Sequence, residues 1–214
     1  MIDFLLKNPR LYRFYQKSVR NKYSEYDFIK FIFSKKLEMK KTKLLDLCCG
    51  DSYILNFISD HIEDYLGVDN SNKYLDFSKK KWSNYKFLKL DLSNKNSLNE
   101  FKNFQPNFIF INGAIHHLDD EAVINIKHYL NELKGSYFLS VDPVNHKNKI
   151  LNKIMISLDR GKHIRTVEQY KNILGEMNHF VIDDFYKMSF QNIFHYRNFE
   201  LNKYYYEWKN SLKN

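Results

Sequence analysis

Short apolar runs alternate with longer segments of mixed polarity along most of the chain. Five of these runs have the length and composition of buried β-strands, and they span residues 44–47, 65–68, 86–90, 108–111 and 136–141. Each run is followed by a turn and a segment long enough for a helix. This repetition predicts βα units and a parallel sheet whose strands all end on one side.

The two ends of the chain add further elements to this pattern. Two more strands are predicted at residues 179–187 and 192–199, where they would close the sheet as a hairpin. Apolar and aromatic residues recur at helical spacing over residues 11–23 and 26–37, which predicts two amphipathic helices before the first strand. We expect these helices to lie over the top of the sheet as a cap, outside the sheet core.

Polar side chains stand at the ends of the five predicted strands. They are Asp46, Asp69, Asp91, Asn112 and Asp142. Because ligands of doubly wound sheets bind outside the carboxyl ends of the strands, these residues are expected to surround one ligand site.

The turn after the first strand indicates which ligand is favoured. A dinucleotide site uses G-x-G-x-x-G, because the pyrophosphate must approach bare backbone. Here those three positions are Cys48, Gly50 and Tyr53, so only the central glycine is present. A nucleoside ligand without a pyrophosphate needs only one close approach and a carboxylate. Asp69, at the end of the second strand, is placed to hold ribose hydroxyls, although it could instead cap a helix.

The same turn resembles motif I of class I S-adenosylmethionine-dependent methyltransferases, whose usual form is D-x-G-x-G-x-G. Asp46 and Gly50 match this form, while Cys48 and Ser52 replace its first and third glycines.

Further family features follow in the same order along residues 43–184. They are G-x-D after the second strand, an acid after the third, His116-His117-Leu118-Asp119-Asp120 after the fourth, and Arg165-Thr166 opening a helix before the sixth. Thr166 and Gln169 also have the spacing of a capping box, so part of the last signature is a helix start.

The resemblance implies an α/β fold with a Rossmann-like, doubly wound sheet of seven strands, mostly parallel and with the last strand antiparallel. We expect a single methyltransferase domain over residues 1–214, made of an N-terminal helical cap (1–41) and a core (42–214). The implied activity is methyl transfer from S-adenosylmethionine to oxygen or nitrogen of a small molecule.

The expected cofactor contacts all lie at or just after strand ends. They are Asp46, Cys48, Gly50, Asp69, Asn70, Asp91, Leu92, Asn112 and Gly113. By resemblance, Asp91 would bind the adenine amino group and Leu92 would offer backbone contacts.

Two histidines are the candidate general bases. His116 and His117 follow the fourth strand, where the reacting methyl group is expected, and resemblance to the family pattern favours His117. Adjacent side chains point in different directions, so only one of them is expected to touch the substrate. A metal site in this run is not expected, since adjacent ligands rarely share one ion.

The candidate substrate contacts come from the cap and from the segment after the fifth strand. They are Tyr15, Tyr23, Asp142, Arg160 and Arg165. An arginine near a helix start could bind a carboxylate or phosphate, so the acceptor is hypothesised to be an anionic metabolite. The alternative is that the arginines are structural, with Arg160 pairing to Asp159 or Asp142 and Arg165 to Glu168.

Composition leaves some alternatives open. The net charge is +9, and residues 1–41 hold eleven Lys or Arg against four Asp or Glu. A basic arm of this kind could meet RNA, a membrane surface or an acidic substrate, or it could be a solvated helix face. An RNA or protein methyltransferase and a non-catalytic S-adenosylmethionine-binding protein are therefore the alternatives. Nucleic acid is the less expected partner, because the Asn-Pro-Pro-Tyr type of signature is absent from strand four.

The cysteines and the hydropathy pattern point to a compartment. The only two cysteines, Cys48 and Cys49, are adjacent and lie in the expected ligand turn, so a structural disulfide is not expected. No apolar run approaches the length of a membrane span. These features predict a cytoplasmic protein.

Overall fold

A computed structural model describes residues 20–36, 42–94, 100, 103–145, 161–186 and 191–213. The described strands are β1 (Thr42–Leu47), β2 (Ile62–Asp69), β3 (Lys86–Lys89), β4 (Phe108–Asn112), β5 (Tyr137–Pro143), β6 (Asn178–Ile182) and β7 (Asn192–Arg197). The described α-helices are α1 (Glu25–Lys36), α2 (Leu55–Ile58), α3 (Asn72–Lys81), α4 (Asp120–Glu132), α5 (Val167–Leu174) and α6 (Leu201–Ser211). Short 3₁₀ turns lie at Ser59–His61 and Ile115–His117.

The seven strands form one sheet in the order β3-β2-β1-β4-β5-β7-β6. The pairs β1–β2, β1–β4, β2–β3 and β4–β5 are parallel, whereas β7 is antiparallel to both β5 and β6. The doubly wound sheet with an antiparallel last strand is therefore confirmed. The edge at which β1, β2, β3, β4 and β5 end is called the carboxyl edge below.

The central strands β1, β4, β5 and β7 are buried on both faces along most of their length, which explains their largely apolar sequence. In β1, Leu44 packs into a cluster on one face of the sheet, and Leu45 and Leu47 pack into a cluster on the other. The first cluster is rich in aromatic residues and includes side chains of α1, α2 and α6. The second is mainly aliphatic and includes side chains of α4 and α5.

Helix α1 belongs to the sheet core. Its side chains Phe28, Ile29, Ile32 and Phe33 are all at most 1 % exposed and pack into the aromatic cluster. The expectation that both N-terminal helices stand outside the core therefore does not hold for α1. A lid formed by residues 1–19 stays a prediction, because those residues lie outside the described part of the chain.

Residues 20–24, directly before α1, are not helical, although the predicted first helix extends to Tyr23. Arg20 forms an antiparallel bridge with Tyr186, and the Asn21 N–H donates to the Phe185 carbonyl at 2.9 Å. The Arg20 guanidinium contacts the buried Glu25 carboxylate with both Nε and Nη2, at 3.0 and 2.5 Å. These tertiary contacts hold residues 20–24 against the connection that follows β6.

Helix α6 was not predicted from the sequence. It buries Leu201, Tyr205 and Trp208, at the helical spacing i, i+4 and i+7, and Trp208 packs against Phe28 of α1. Among the described helices, none is both long and apolar enough to cross a membrane.

Candidate functional site

The turn after β1 is held by main-chain and carboxylate contacts. The Cys49 N–H donates to the Val68 carbonyl at 2.9 Å, which ties the turn to the end of β2. The Gly50 N–H donates to Asp69 Oδ2 at 2.9 Å, and the Ser71 N–H donates to Asp69 Oδ1 at 2.8 Å. The carboxylate of Asp69 therefore joins the first two strand ends.

Asp46 has a different environment from the one expected of a ligand contact. Its carboxylate is buried and accepts a hydrogen bond from the Tyr65 hydroxyl at 2.6 Å. The same hydroxyl lies 3.1 Å from Ser52 Oγ, so Tyr65 links the strand to the turn. Burial raises the pKa of Asp46 to about 7, although the hydrogen bond from Tyr65 acts to lower this pKa. Asp46 thus holds the Tyr65 hydroxyl, which in turn contacts Ser52 in the turn.

Four acidic side chains act electrostatically on Cys48. Burial raises the pKa of the Cys48 thiol, and the negative charges of Asp69, Asp46, Asp142 and Asp91 raise it further, in that order. Acidic residues at the ends of β1, β2, β3 and β5 therefore all influence the thiol in this turn. Such a site favours a bound cation over a bound anion.

Asp91 and Asn70 lie at the exposed side of the same edge. The Asp91 carboxylate accepts from the Ser93 N–H at 3.0 Å, and the Leu90 N–H donates to the Asp69 carbonyl at 3.1 Å. The side chains of Asp91 and Asn70 are exposed, whereas Leu92 is buried.

The other half of the carboxyl edge is formed by β4 and β5. The Gly113 N–H donates to the Val141 carbonyl at 2.7 Å, so the residues after β4 lie beside the end of β5. Gly113 has a φ of +61° and is exposed, and Asn112 is half-buried.

A histidine and a carboxylate are paired at this end of β5. His116 Nδ1 lies 2.8 Å from Asp142 Oδ1, and the His116 main-chain N–H donates to the same oxygen at 3.1 Å. His116 is 4 % exposed and Asp142 is fully buried. Burial raises the pKa of Asp142, whereas His116 and Arg165 act to lower it. A carboxylate in this position accepts the Nδ1 proton and holds one tautomer of the imidazole.

The second histidine is not part of this pair. His117 is exposed, and its ring centroid lies 4.1 Å from that of His116. The sequence favours His117 as the base, whereas the Asp142 carboxylate contacts His116. Over the described ranges, no group of three His, Cys, Asp or Glu side chains could hold a metal ion.

The predicted substrate contacts are only partly brought together. Asp142 lies at the site, while Tyr23 packs edge-on against Trp208 of α6, with ring centroids 6.4 Å apart. Tyr15 and Arg160 lie outside the described residues. Arg165 is buried, and its ion pair is with Asp120 at 2.6 Å, whereas sequence reasoning named Glu168.

Two residues with a role in the site were not singled out from the sequence. Tyr65 was assigned only to a strand, and Asp120 only to the run after the fourth strand. A phenol inside an otherwise aliphatic buried run was the available signal for Tyr65, because buried hydroxyls need a partner. Nothing local marks Asp120 as the partner of Arg165.

Comparisons with known proteins place this geometry in a known fold. The chain matches no protein-family model and no curated protein. It does match solved structures, among them an S-adenosylmethionine-dependent methyltransferase from Clostridium acetobutylicum ATCC 824. That similarity has a TM-score of 0.58 at 14% identity and covers 79% of this chain and 91% of the other.

Two further structures support the same conclusion. Human N-acetylserotonin methyltransferase, solved with S-adenosylmethionine, is similar with a TM-score of 0.57 at 10% identity, over 81% of this chain and 52% of that one. DhpI, solved as a complex with S-adenosylmethionine and HEP, is similar with a TM-score of 0.55 at 13% identity, over 79% and 85%. The chain therefore has the class I methyltransferase fold.

Proposed function

We propose that this protein is an S-adenosylmethionine-dependent methyltransferase that acts on oxygen or nitrogen of a small molecule. The observation that carries the proposal is the contact of Asp69 with the Gly50 turn, at the carboxyl edge of a methyltransferase-type sheet. The chain's similarity to methyltransferases solved with S-adenosylmethionine supports the choice of cofactor.

The residues at the carboxyl edge fit the nucleoside part of this cofactor. The Asp69 carboxylate accepts main-chain hydrogen bonds from Gly50, Ser71 and Asn70, and a carboxylate has about four acceptor sites, so one is left for a ribose hydroxyl. Gly50 and Gly113 both have positive φ, and no atom lies within 4 Å of where a Cβ would be. A ligand can therefore approach the backbone closely at both positions.

The electrostatics of the site fit the reactive part of the cofactor. When bound, S-adenosylmethionine supplies a methyl group on a positively charged sulfur, which is transferred to a nucleophile. The carboxylates of Asp69, Asp142 and Asp91, whose negative charges act on Cys48, favour a positively charged ligand here.

The paired histidine suggests how the acceptor is prepared. With the Nδ1 proton held by Asp142, the other ring nitrogen of His116 is the basic one and can take a proton from a hydroxyl or a protonated amine. We therefore place His116 as the general base, ahead of His117. The hypothesis of an anionic acceptor bound by Arg165 is not carried forward, because the guanidinium of Arg165 is fully engaged within the protein.

Calorimetry with S-adenosylmethionine tests the cofactor site. Removing one charged hydrogen-bond acceptor costs about 1.5–3 kcal/mol, so Asp69→Asn is expected to weaken binding by roughly 10- to 100-fold. Asp64→Asn is the matched control, since Asp64 also lies on β2 but forms only a distant ion pair with Lys86, at 3.9 Å. Wild-type affinity in Asp69→Asn would remove the basis of the proposal.

Transfer of labelled methyl groups to a panel of hydroxyl and amine compounds tests the base. Proton transfer by a placed group typically contributes about 10²–10⁴-fold, so His116→Asn should lose that factor in kcat on any acceptor found. S-adenosylmethionine affinity should stay as in the wild type. A larger loss in His117→Asn than in His116→Asn would reverse the assignment.

A further inference from the structure

Arg165 is a buried arginine whose hydrogen-bonding capacity is completely used. Its Nε and Nη2 donate to Asp120 Oδ1 at 3.1 and 2.6 Å, and Nη2 also donates to the Leu118 carbonyl at 2.9 Å. Its Nη1 donates to the carbonyls of Ile115 and His163, both at 3.1 Å. A guanidinium has five N–H donors, and these contacts occupy all five. No donor of Arg165 is left for a substrate anion.

The carbonyls that Arg165 binds lie on both sides of His116. Ile115 begins the 3₁₀ turn Ile115–His117, and Leu118 follows it directly. The His116 carbonyl itself accepts from the His163 N–H at 3.0 Å, just two residues before Arg165. His163 and Arg165, just before α5, therefore donate hydrogen bonds to three successive parts of this segment. The acceptors are the carbonyls of Ile115, His116 and Leu118.

We propose that Arg165 is a positioning residue, which holds the turn Ile115–His117 so that the imidazole of His116 meets the carboxylate of Asp142. The importance of this contact for catalysis rests on the proposed function, but the contact itself exists without a cofactor. Arg165 is 6 % exposed, and its side chain donates to main-chain carbonyls and to Asp120, so it acts on His116 through the main chain of the turn.

Both the shape and the charge of the guanidinium could contribute. The described contacts of His116 include the Asp142 carboxylate on β5, the ring of His117 and the main-chain N–H of His163. The positive charge of Arg165 also favours the ionised form of Asp142. Lysine keeps the charge but carries its donors on one nitrogen, which cannot span carbonyls on both sides of the turn. Arg165→Lys therefore separates geometry from charge.

The experiment measures the tautomer of His116 by imidazole ¹⁵N chemical shifts in the full-length, cofactor-free protein. In the wild type, the neutral ring is expected to carry its proton on Nδ1, which donates to Asp142. Arg165→Gln should lose this signature. The matched control is Arg197→Gln, since Arg197 donates to the Leu130 and Leu133 carbonyls, at 2.9 and 2.8 Å, near the far end of α4.

The outcomes are distinct. Loss of the Nδ1–H signature in Arg165→Gln, with the signature kept in Arg197→Gln, supports the proposal. Retention of the signature in folded Arg165→Gln overturns it, as does its loss in both variants, which would indicate general destabilisation. If Arg165→Gln does not fold, Arg165→Lys decides in the same way.

A second readout connects the position of His116 to turnover. On an acceptor found in the panel, Arg165→Lys is expected to lower kcat on the order of 100-fold, because small misplacements of a reacting group have effects of that size. Its affinity for S-adenosylmethionine should stay within about twofold of the wild type, as expected for a single distant site. A wild type that failed to bind S-adenosylmethionine would refute the proposed function and leave the tautomer measurement valid.

Discussion

Cys48 and Ser52 adopt left-handed backbone conformations, with φ of +58° and +53°, on either side of Gly50 at +53°. For residues other than glycine this conformation costs roughly 1–2 kcal/mol each. The contacts made by Tyr65 and Asp69 stabilise the turn against that strain. In this chain, tertiary hydrogen bonds thus replace the conformational freedom that glycines give motif I in its usual form.

Tyr65→Phe tests that replacement. The variant removes a fully buried hydroxyl that contacts both Asp46 and Ser52, so the free energy of unfolding should fall by about 1–3 kcal/mol. The affinity for S-adenosylmethionine should fall several-fold, because the turn loses its support. Chemical denaturation and calorimetry measure the two effects.

The control for Tyr65→Phe is Tyr170→Phe. Tyr170 is also fully buried and donates a hydroxyl hydrogen bond, to the Pro143 carbonyl at 3.2 Å, on the other face of the sheet. In Tyr170→Phe the free energy of unfolding should fall by a similar amount, and the affinity for S-adenosylmethionine should stay as in the wild type. Equal losses of affinity in both variants would contradict a specific role for Tyr65.

Asp46 should make the protein less stable as the pH rises. Burial raises the pKa of its carboxyl from 3.8 to about 7, so between these values the folded protein keeps a proton that the unfolded chain has released. The contribution of Asp46 to the free energy of unfolding is fully present below pH 3.8. It falls by about 1.4 kcal/mol per pH unit as the pH rises and is lost as the pH passes 7. Asp46→Asn should remove this slope in denaturation experiments.

His195 provides a comparison of opposite sign. Burial lowers the pKa of His195 from 6.5 to about 3, so between these values the unfolded chain binds a proton that the folded protein does not. The contribution of His195 to the free energy of unfolding is therefore lost as the pH falls from 6.5 to 3. Relative to the wild type, the free energy of unfolding of Asp46→Asn should rise with pH between about 4 and 6.5, and that of His195→Gln should fall. Parallel pH profiles in all three proteins would show that neither group titrates as described.

At the scale of elements, α1 shows that position before the first strand does not decide whether a helix is a lid. Its N-terminal end contacts the turn after β1 through Tyr26 and Tyr53, with ring centroids 5.1 Å apart. Nearer its C-terminal end, Phe33 packs on Phe108 at the start of β4, with centroids 4.8 Å apart. The helix therefore spans the sheet face from the carboxyl edge to the opposite edge.

Substitutions within α1 test its role in the core. Phe28→Ala removes a ring with 0 % exposure that packs against Phe185, Phe194 and Trp208, so a loss of about 3–5 kcal/mol in the free energy of unfolding is expected. Phe31→Ala, on the same helix but only half-buried, should cost distinctly less. Equal and small losses from thermal or urea unfolding would mean that α1 is a separable cap.

At the scale of the whole molecule, the parallel strands place all the functional groups at one edge. The first half of the edge, after β1 and β2, carries the expected nucleoside contacts, and the second half, after β4 and β5, carries His116 and Asp142. Since the strand order reverses between β1 and β4, the boundary between the two halves is the topological switch point, where ligands of such sheets bind.

Ligand binding at this edge should stabilise the whole domain. A ligand at 100 times its dissociation constant stabilises the folded state by about 2.7 kcal/mol, which corresponds to a rise in Tm of roughly 5–10 °C for a domain of this size. S-adenosylmethionine should produce this shift in differential scanning calorimetry, and adenosine diphosphate should not, since the turn lacks the glycines for a pyrophosphate. A larger shift with the diphosphate would contradict the expected site.

The sequence by itself determined the sheet and the positions of its ligand-facing ends. Buried parallel strands are short apolar runs whatever their partners, so β1 to β5 could be found within a few residues of their ends. Because every such strand ends at the same edge, Asp69, Asp91, Asn112 and Asp142 could be placed there from sequence order alone. The capping box at Thr166 and Gln169 was equally local and is present.

Only the tertiary structure decided which side chains are partners. A local pattern shows that Arg165 lies near a helix start, but three of its four acceptor residues, at positions 115, 118 and 120, lie 50, 47 and 45 positions earlier in the chain. Likewise, the pairing of His116 with Asp142 and of Tyr65 with Asp46 depends on strand register and loop path. Burial is encoded locally by hydrophobic periodicity, whereas hydrogen-bond geometry is set by elements that meet only in the folded chain.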